Sequence, residues 1–337
     1  MNINEQDLDT RLEPLKDLVK SPNRDIKRII LREAMSTSMA NLDRLDLKMI
    51  ASASRELRVA FDAFKSYRGK RKATVFGSAR TPPTDSSYLL AKDLGSQLAG
   101  QGWLVITGGG PGIMDAAATG AGTANAFGVN IRLPLEEAPS SVLDPDGHII
   151  EMKYFFTRKV LMIKESDAFV SMPGGLGTLD ETFELLTLMQ TGKTQLAPLV
   201  LLEPEGYGYF DHFEGFMFNV LIPQGLMSKS DLYLYRRAST AERAVAEIVK
   251  FYSNYHSARI VGDRLVLRLS RAPSSAELRE LNHEFGDIVS DGQIEKIRPT
   301  AWELREQDHV DLDRLSMSFD NRSLGRLRLL IDRLNSV

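Results

Sequence analysis

Between Leu42 and Phe64 the apolar residues Leu42, Leu45, Met49, Ala53, Leu57, Ala60, Phe61 and Phe64 recur at intervals of three and four, the spacing of one helical face. Ile26, Ile29, Ile30 and Ala34 trace a shorter helix before it. Together they predict an N-terminal helical extension over residues 1–69. It ends in the stretch Tyr67-Arg68-Gly69-Lys70-Arg71-Lys72, whose basic, glycine-containing composition reads as a solvated linker.

From residue 70 to 256 short apolar runs alternate with longer helical patterns, the order that parallel βαβ units require. Strands are expected at Ala73–Phe76, Trp103–Thr107, Phe127–Ile131, Ala168–Met172 and Pro198–Leu202. Helices are expected near Ser86–Gly100, Gly112–Asn125, Thr157–Glu165 and Leu179–Gln190. The fold class is therefore α/β, a doubly wound parallel sheet of Rossmann-like type, whose ligand crevice lies outside the carboxyl ends of the strands. Over residues 257–337 the pattern changes: Leu265, Leu267 and Leu269 alternate, Ser274–Phe285 is helical, Leu315, Met317 and Phe319 alternate, and Leu324, Leu327, Ile331 and Leu334 form a helical stripe. That predicts a small α+β module suited to regulation or assembly.

Composition narrows the chemistry. The 337 residues carry 42 Lys+Arg against 45 Asp+Glu, so the net charge of −3 offers no bulk field for a nucleic-acid backbone. Without cysteine there is no disulfide, thiolate ligand or cysteine nucleophile. His148, His212, His256, His283 and His309 are scattered, with no metal-ligand spacing, so no metal is expected. The acidic start MNINEQDLDT is unlike a signal peptide and no run approaches the ~18 apolar residues of a membrane span, so the expected location is the cytoplasm.

Two glycine clusters stand at predicted strand-to-helix junctions, where main-chain amides and the helix dipole favour an anion. One is Thr107-Gly108-Gly109-Gly110-Pro111-Gly112-Ile113-Met114-Asp115; the other is Pro173-Gly174-Gly175-Leu176-Gly177-Thr178-Leu179-Asp180-Glu181. Thr178 and Glu181, three apart, either meet one ligand or form a capping box at their helix start. The dinucleotide fingerprint fails in both clusters, at Ile113 and at Asp180, and Gly192-Lys193-Thr194 lacks the first glycine of a P-loop because Thr187 stands there.

The second cluster resembles the PGGxGTxxE signature of the Lonely Guy family, the cytokinin riboside 5′-monophosphate phosphoribohydrolases long labelled lysine decarboxylase-like. Val75-Phe76-Gly77-Ser78-Ala79, the triple glycine Gly108–Gly110, and Arg158-Lys159 with Met162 agree with that family in order, so the resemblance spans about residues 70–250. It departs from plant-type members at Asp115, where they carry glycine.

The resemblance implies hydrolysis of a purine nucleoside 5′-monophosphate, AMP or a cytokinin riboside monophosphate, to base and ribose 5-phosphate, with Arg158 and Glu181 catalytic and no cofactor. It assigns substrate binding to Ser78, Gly108, Gly109, Gly110, Lys159, Gly174, Gly175, Gly177 and Thr178, and it implies a homodimer or higher homo-oligomer. Similar domains also serve as non-catalytic carriers, including holders of the molybdenum cofactor. A pyridoxal-phosphate decarboxylase is disfavoured because neither glycine loop contains a lysine.

Overall fold

A computed structural model describes residues 23–131, 143 and 148–336 of the chain; the acidic N-terminal stretch lies outside them. The chain divides into two compact units, Met1–Ala60 and Phe61–Val337. In the first, the two apolar stripes fold as α1 (Arg24–Met39) and the start of α2 (Arg44–Ala63). The Asp43 carboxylate accepts from the amides of Leu45 (2.6 Å) and Asp46 (2.9 Å), satisfying donors that the first turn leaves unpaired. The stripe itself is only partly core: Leu45 is 67% exposed and Met49 43%.

The second unit opens with β1 (Lys72–Phe76), α3 (Ser86–Gly100), β2 (Leu104–Thr107), α4 (Ile113–Ala121), β3 (Ala126–Ile131), β4 (Ile149–Met152), α5 (Phe155–Glu165) and β5 (Ala168–Ser171). It continues through α6 (Leu176–Gln190), β6 (Leu199–Leu202), α7 (Tyr209–Phe216), β7 (Arg236–Ala238) and α8 (Ala241–Phe251). The seven strands form one parallel sheet in the order β4-β3-β2-β1-β5-β6-β7. The strands β1, β2, β5 and β6 are buried at every position, as a sheet covered on both faces demands. One core layer joins Val75, Val105, Val170 and Val200 to Leu94 and Leu98 of α3 and to Val245 and Ile248 of α8.

The chain winds outward from β1 on one side and from β5 on the other, so the switch point lies between these two strands. Register pairs Val75 with Thr107 and Phe76 with Ser171, which brings the carboxyl ends of β1, β2 and β5 level. β4 and β7 are additions to the expected strands: both are short edges without a continuous buried run. The basic stretch is only partly a linker. Arg71 pairs with Asp167 at 2.8 Å, and Lys72 is buried in β1 with its Nζ 3.7 Å from Glu165.

The remainder is a second, antiparallel sheet built from β8 (Tyr255–Val261), β9 (Arg264–Leu269), β10 (Val289–Ile297) and β11 (Asp313–Phe319), in the order β10-β11-β9-β8. It carries α9 (Ser275–Phe285), α10 (Ala301–Glu306) and α11 (Leu324–Leu334). Asn335, just past α11, accepts from the amides of Asn254 (3.0 Å) and Tyr255 (2.8 Å) and donates to the carbonyl of Phe251 (2.6 Å). Gly325 lies directly on the main chain of the other sheet's surroundings: a Cβ there would be 1.8 Å from the Ser230 carbonyl oxygen and 2.5 Å from its carbon. Backbone cannot swing aside as a side-chain tip can. Gly325→Ala is therefore expected to destabilise the second unit by about 1–3 kcal/mol, the usual cost of overpacking, read as a lower denaturant midpoint at unchanged slope. An unchanged midpoint would show that α11 is free to lift away.

Candidate active site

Three loops converge at the switch point. The Ser78 amide donates to the Pro173 carbonyl (3.2 Å) and the Ser78 carbonyl accepts from the Ile113 amide (3.0 Å), so the turn after β1 is tied to both glycine loops. The Ser78 hydroxyl accepts from the Arg80 amide (3.0 Å), which orders the turn from within. Gly112 has φ +69°, and its Cβ would lie 2.3 Å from the Ser78 carbonyl oxygen, so no other residue fits this junction. Gly109, also at positive φ, donates its amide to the Thr107 hydroxyl (3.1 Å).

The glycines of these loops serve two purposes. Gly108 leaves room for Arg158, whose Nη2 would be 2.2 Å from a Cβ there, and Gly174 leaves room for the Thr178 side chain, whose Oγ1 would be 2.3 Å away. Gly110 makes way for Met114 in the same manner, with Cε at 2.9 Å. A Cβ on Gly175 or Gly177 would meet nothing within 4 Å among the described residues, and both residues are exposed. These two keep their backbone open to solvent, where a ligand can approach. The first intrahelical bond of α6 runs from Leu179 N to Gly175 O, which leaves the amides of Leu176, Gly177 and Thr178 at the positive end of the helix dipole.

The same geometry removes the capping box. Gly175 is the N-cap of α6 and no side chain caps the helix. Thr178 is buried at the third helical position, its carbonyl accepting from Thr182 Oγ1 (2.7 Å). Glu181 turns to α5 instead, with its Oε1 3.0 Å from Arg158 Nη1; the two side chains are only 11% and 13% exposed. Arg158 is fixed again by its Nε, which donates to the Val129 carbonyl at the end of β3 (2.9 Å).

Burial pushes the Glu181 carboxyl above the usual carboxylate range; the Arg158 guanidinium pulls it back, while Asp180 and Glu184 add to the rise. Lys159 lies between Asp180 and Glu184, 2.8 Å from each. Burial works against its charge, but these two carboxylates hold its ammonium above the usual lysine range. Its charge thus clamps α5 to α6.

All the candidate residues named from sequence cluster around this switch point except Lys159, which faces the clamp rather than the open loops. Others were not named. The Tyr209 hydroxyl donates to the Gly174 carbonyl (2.7 Å), bracing the second loop from α7, with no local sequence signal to announce it. Asp180 and Glu184, four apart and so on one helix face, were a legible pair. Asp115 accepts from the Tyr88 hydroxyl (2.7 Å), which burial and this carboxylate push up to about 12. Among the described residues no group of three or more His, Asp or Glu could hold a metal ion, and no helix is long and apolar enough to cross a membrane.

Residues 111–248 match the protein family described as possible lysine decarboxylase. The chain is 34% identical over 158 residues to a cytokinin riboside 5′-monophosphate phosphoribohydrolase of Mycobacterium tuberculosis, covering 46% of this chain and 82% of the relative. It is 28% identical over 203 residues to cytokinin riboside 5′-monophosphate phosphoribohydrolase LOG of Oryza sativa subsp. japonica, covering 59% and 80%. Among solved structures, a molybdenum cofactor binding protein from Rippkaea orientalis is 26% identical with a TM-score of 0.37, covering 54% of this chain and 96% of that one.

Proposed function

The chain belongs to the Lonely Guy family, that of the cytokinin riboside 5′-monophosphate phosphoribohydrolases, and on that premise we propose that it hydrolyses the N-glycosidic bond of a purine nucleoside 5′-monophosphate to base and ribose 5-phosphate. AMP or a cytokinin riboside monophosphate is the substrate. The observation behind this reading is the buried Arg158–Glu181 pair standing beside open, unpaired amides at the start of α6.

In this reading the 5′-phosphate sits on the amides of Gly175, Gly177 and Thr178. Breaking the bond to the base develops oxocarbenium character at C1′, which the Glu181 carboxylate stabilises while it orients or deprotonates the attacking water. Arg158 holds Glu181 in place and offers its remaining donors to a phosphate or ribose oxygen or to the departing base. Water is the only co-reactant this chemistry needs. The exposed Phe155, Phe156 and Val160 of α5 and Leu176 of α6 suit closure of the site by a second copy, in keeping with a homodimer or higher oligomer.

The test compares AMP with adenosine for released base by chromatography. Losing the phosphate should lower kcat/KM by about 10²-fold or more, because binding energy at the phosphate holds the ribose against Glu181. Gly175→Ala should raise KM about tenfold with an unchanged melting temperature, since its Cβ meets nothing among the described residues and would stand where the phosphate approaches in this reading. Equal kcat/KM for AMP and adenosine sinks the reading. AMP bound without any base released points to a carrier instead.

A further inference from the structure

A cleft of about 890 Å³ opens at the amino edge of the parallel sheet, opposite the edge that carries Glu181. Its floor is the start of β1, β5 and β6, at Arg71, Asp167 and Ala197; α5 and α6 wall one side and the C-terminal module the other, at Tyr255, His256 and His309. The volume is that of a site for a nucleotide-sized molecule.

Its charge is one-sided once internal pairs are set aside. Asp167 is taken by Arg71 at 2.8 Å, Glu184 by Lys159 at 2.8 Å, and Lys164 by Glu165. Three cations on the lining remain, Arg68, Lys70 and Lys193, and among the described residues none of their side chains meets a carboxylate. They come from two separate loops, before β1 and after α6, so no local helix or turn accounts for their meeting. A second observation points the same way: the Tyr255 hydroxyl in the cleft wall is buried and has no hydrogen-bond partner among the described residues, which a donor or acceptor normally avoids. The rings of His256 and His309, 4.3 Å apart between centroids, add flat donor-bearing surface.

We propose that this cleft is a second ligand site, for a small molecule bearing two or more phosphate groups, distinct from the loops that hold the substrate. Three unpaired cations in one concave surface match a compact polyanion, whereas the net charge of −3 and the concavity disfavour a nucleic-acid backbone. The wall it shares with α5 and α6 includes Glu184, which holds Lys159 one residue along from Arg158, so the ligand would lie against the two helices that carry the catalytic pair.

The test uses inorganic tripolyphosphate and isothermal titration calorimetry on the full chain, against sulfate at equal ionic strength. Wild type, Gly175→Ala and the triple variant Arg68→Gln, Lys70→Gln, Lys193→Gln are compared, with matched circular dichroism. The three side chains are exposed and meet no carboxylate among the described residues, so their replacement is expected to leave the fold intact. The wild type and Gly175→Ala should share a tripolyphosphate site that the triple variant weakens by about tenfold to a hundredfold, the sum of three partly screened charge contacts. Undiminished binding to the triple variant, or binding lost in Gly175→Ala alone, overturns the proposal. Turnover of AMP plays no part in either outcome, so a failure of the catalytic reading is a separate result.

Discussion

Glu181→Gln is expected to lower kcat for AMP by about 10²–10⁴-fold, the range for a positioned acid or base, while leaving affinity for AMP within a few-fold of wild type. The substitution keeps the size of the side chain and a hydrogen-bonding group toward Arg158 but removes the negative charge and the proton acceptor. The amides of Gly175, Gly177 and Thr178, which meet the phosphate in this reading, belong to the backbone and are untouched by the substitution. Because no side chain caps α6, the change removes no helix cap, and a large loss of melting temperature is not expected. Measuring kcat, AMP affinity by calorimetry and the melting temperature on one preparation separates the roles. Near-normal turnover would falsify the catalytic assignment.

Arg158→Gln is expected to lower kcat/KM for AMP by about 10²–10³-fold at neutral pH, the loss typical of one preorganised electrostatic donor, and to move the acidic limb of the pH profile upward. The direction follows from the Glu181 carboxyl. Burial raises its pKa and Arg158 opposes that rise, so without the guanidinium the carboxyl holds its proton to higher pH. In the proposed mechanism the reactive form is the carboxylate. Activity should therefore recover, in part, as pH is raised, and it should do so at a higher pH than in the wild type. A loss that is the same at every pH would assign Arg158 to substrate binding alone. The stability linkage has the matching sign: a buried carboxyl with raised pKa contributes its stability at low pH and loses it as pH rises through the folded-state value.

The individual functional groups announced themselves locally. The strands β1, β2 and β5 read as continuous apolar runs because both faces of a parallel sheet are covered, and the glycine clusters that follow them read as anion loops because only glycine permits so close a main-chain approach. Edge strands carry neither signal. β4 and β7 pair on one side only and tolerate residues such as Glu151 and Arg237, so no buried run marks them. Lys72, inside a run of cations that composition assigns to solvent, is drawn into β1 because the strand to which it belongs is central and its charge is met by Glu165.

By itself, then, the order of apolar and polar residues determined a parallel doubly wound sheet, two glycine loops at its carboxyl edge and an acidic residue at the start of the helix after the second, since each depends on neighbours a few positions away. What only the tertiary structure decided is what those residues do for one another. Thr178 and Glu181 were equally a capping box until α6 began at Leu176 with Gly175 as its cap, which left the carboxylate free to meet Arg158 from another helix. Gly108 and Gly174 are glycines because an arginine and a threonine occupy the space beside them, and Tyr209 steadies the second loop from 35 positions away. The cleft that joins Arg68 and Lys193 to His309 has no sequence signature at all. Local spacing encodes periodicity and backbone freedom, whereas contact, burial and the pKa that follows from them arise only when distant segments are packed against each other.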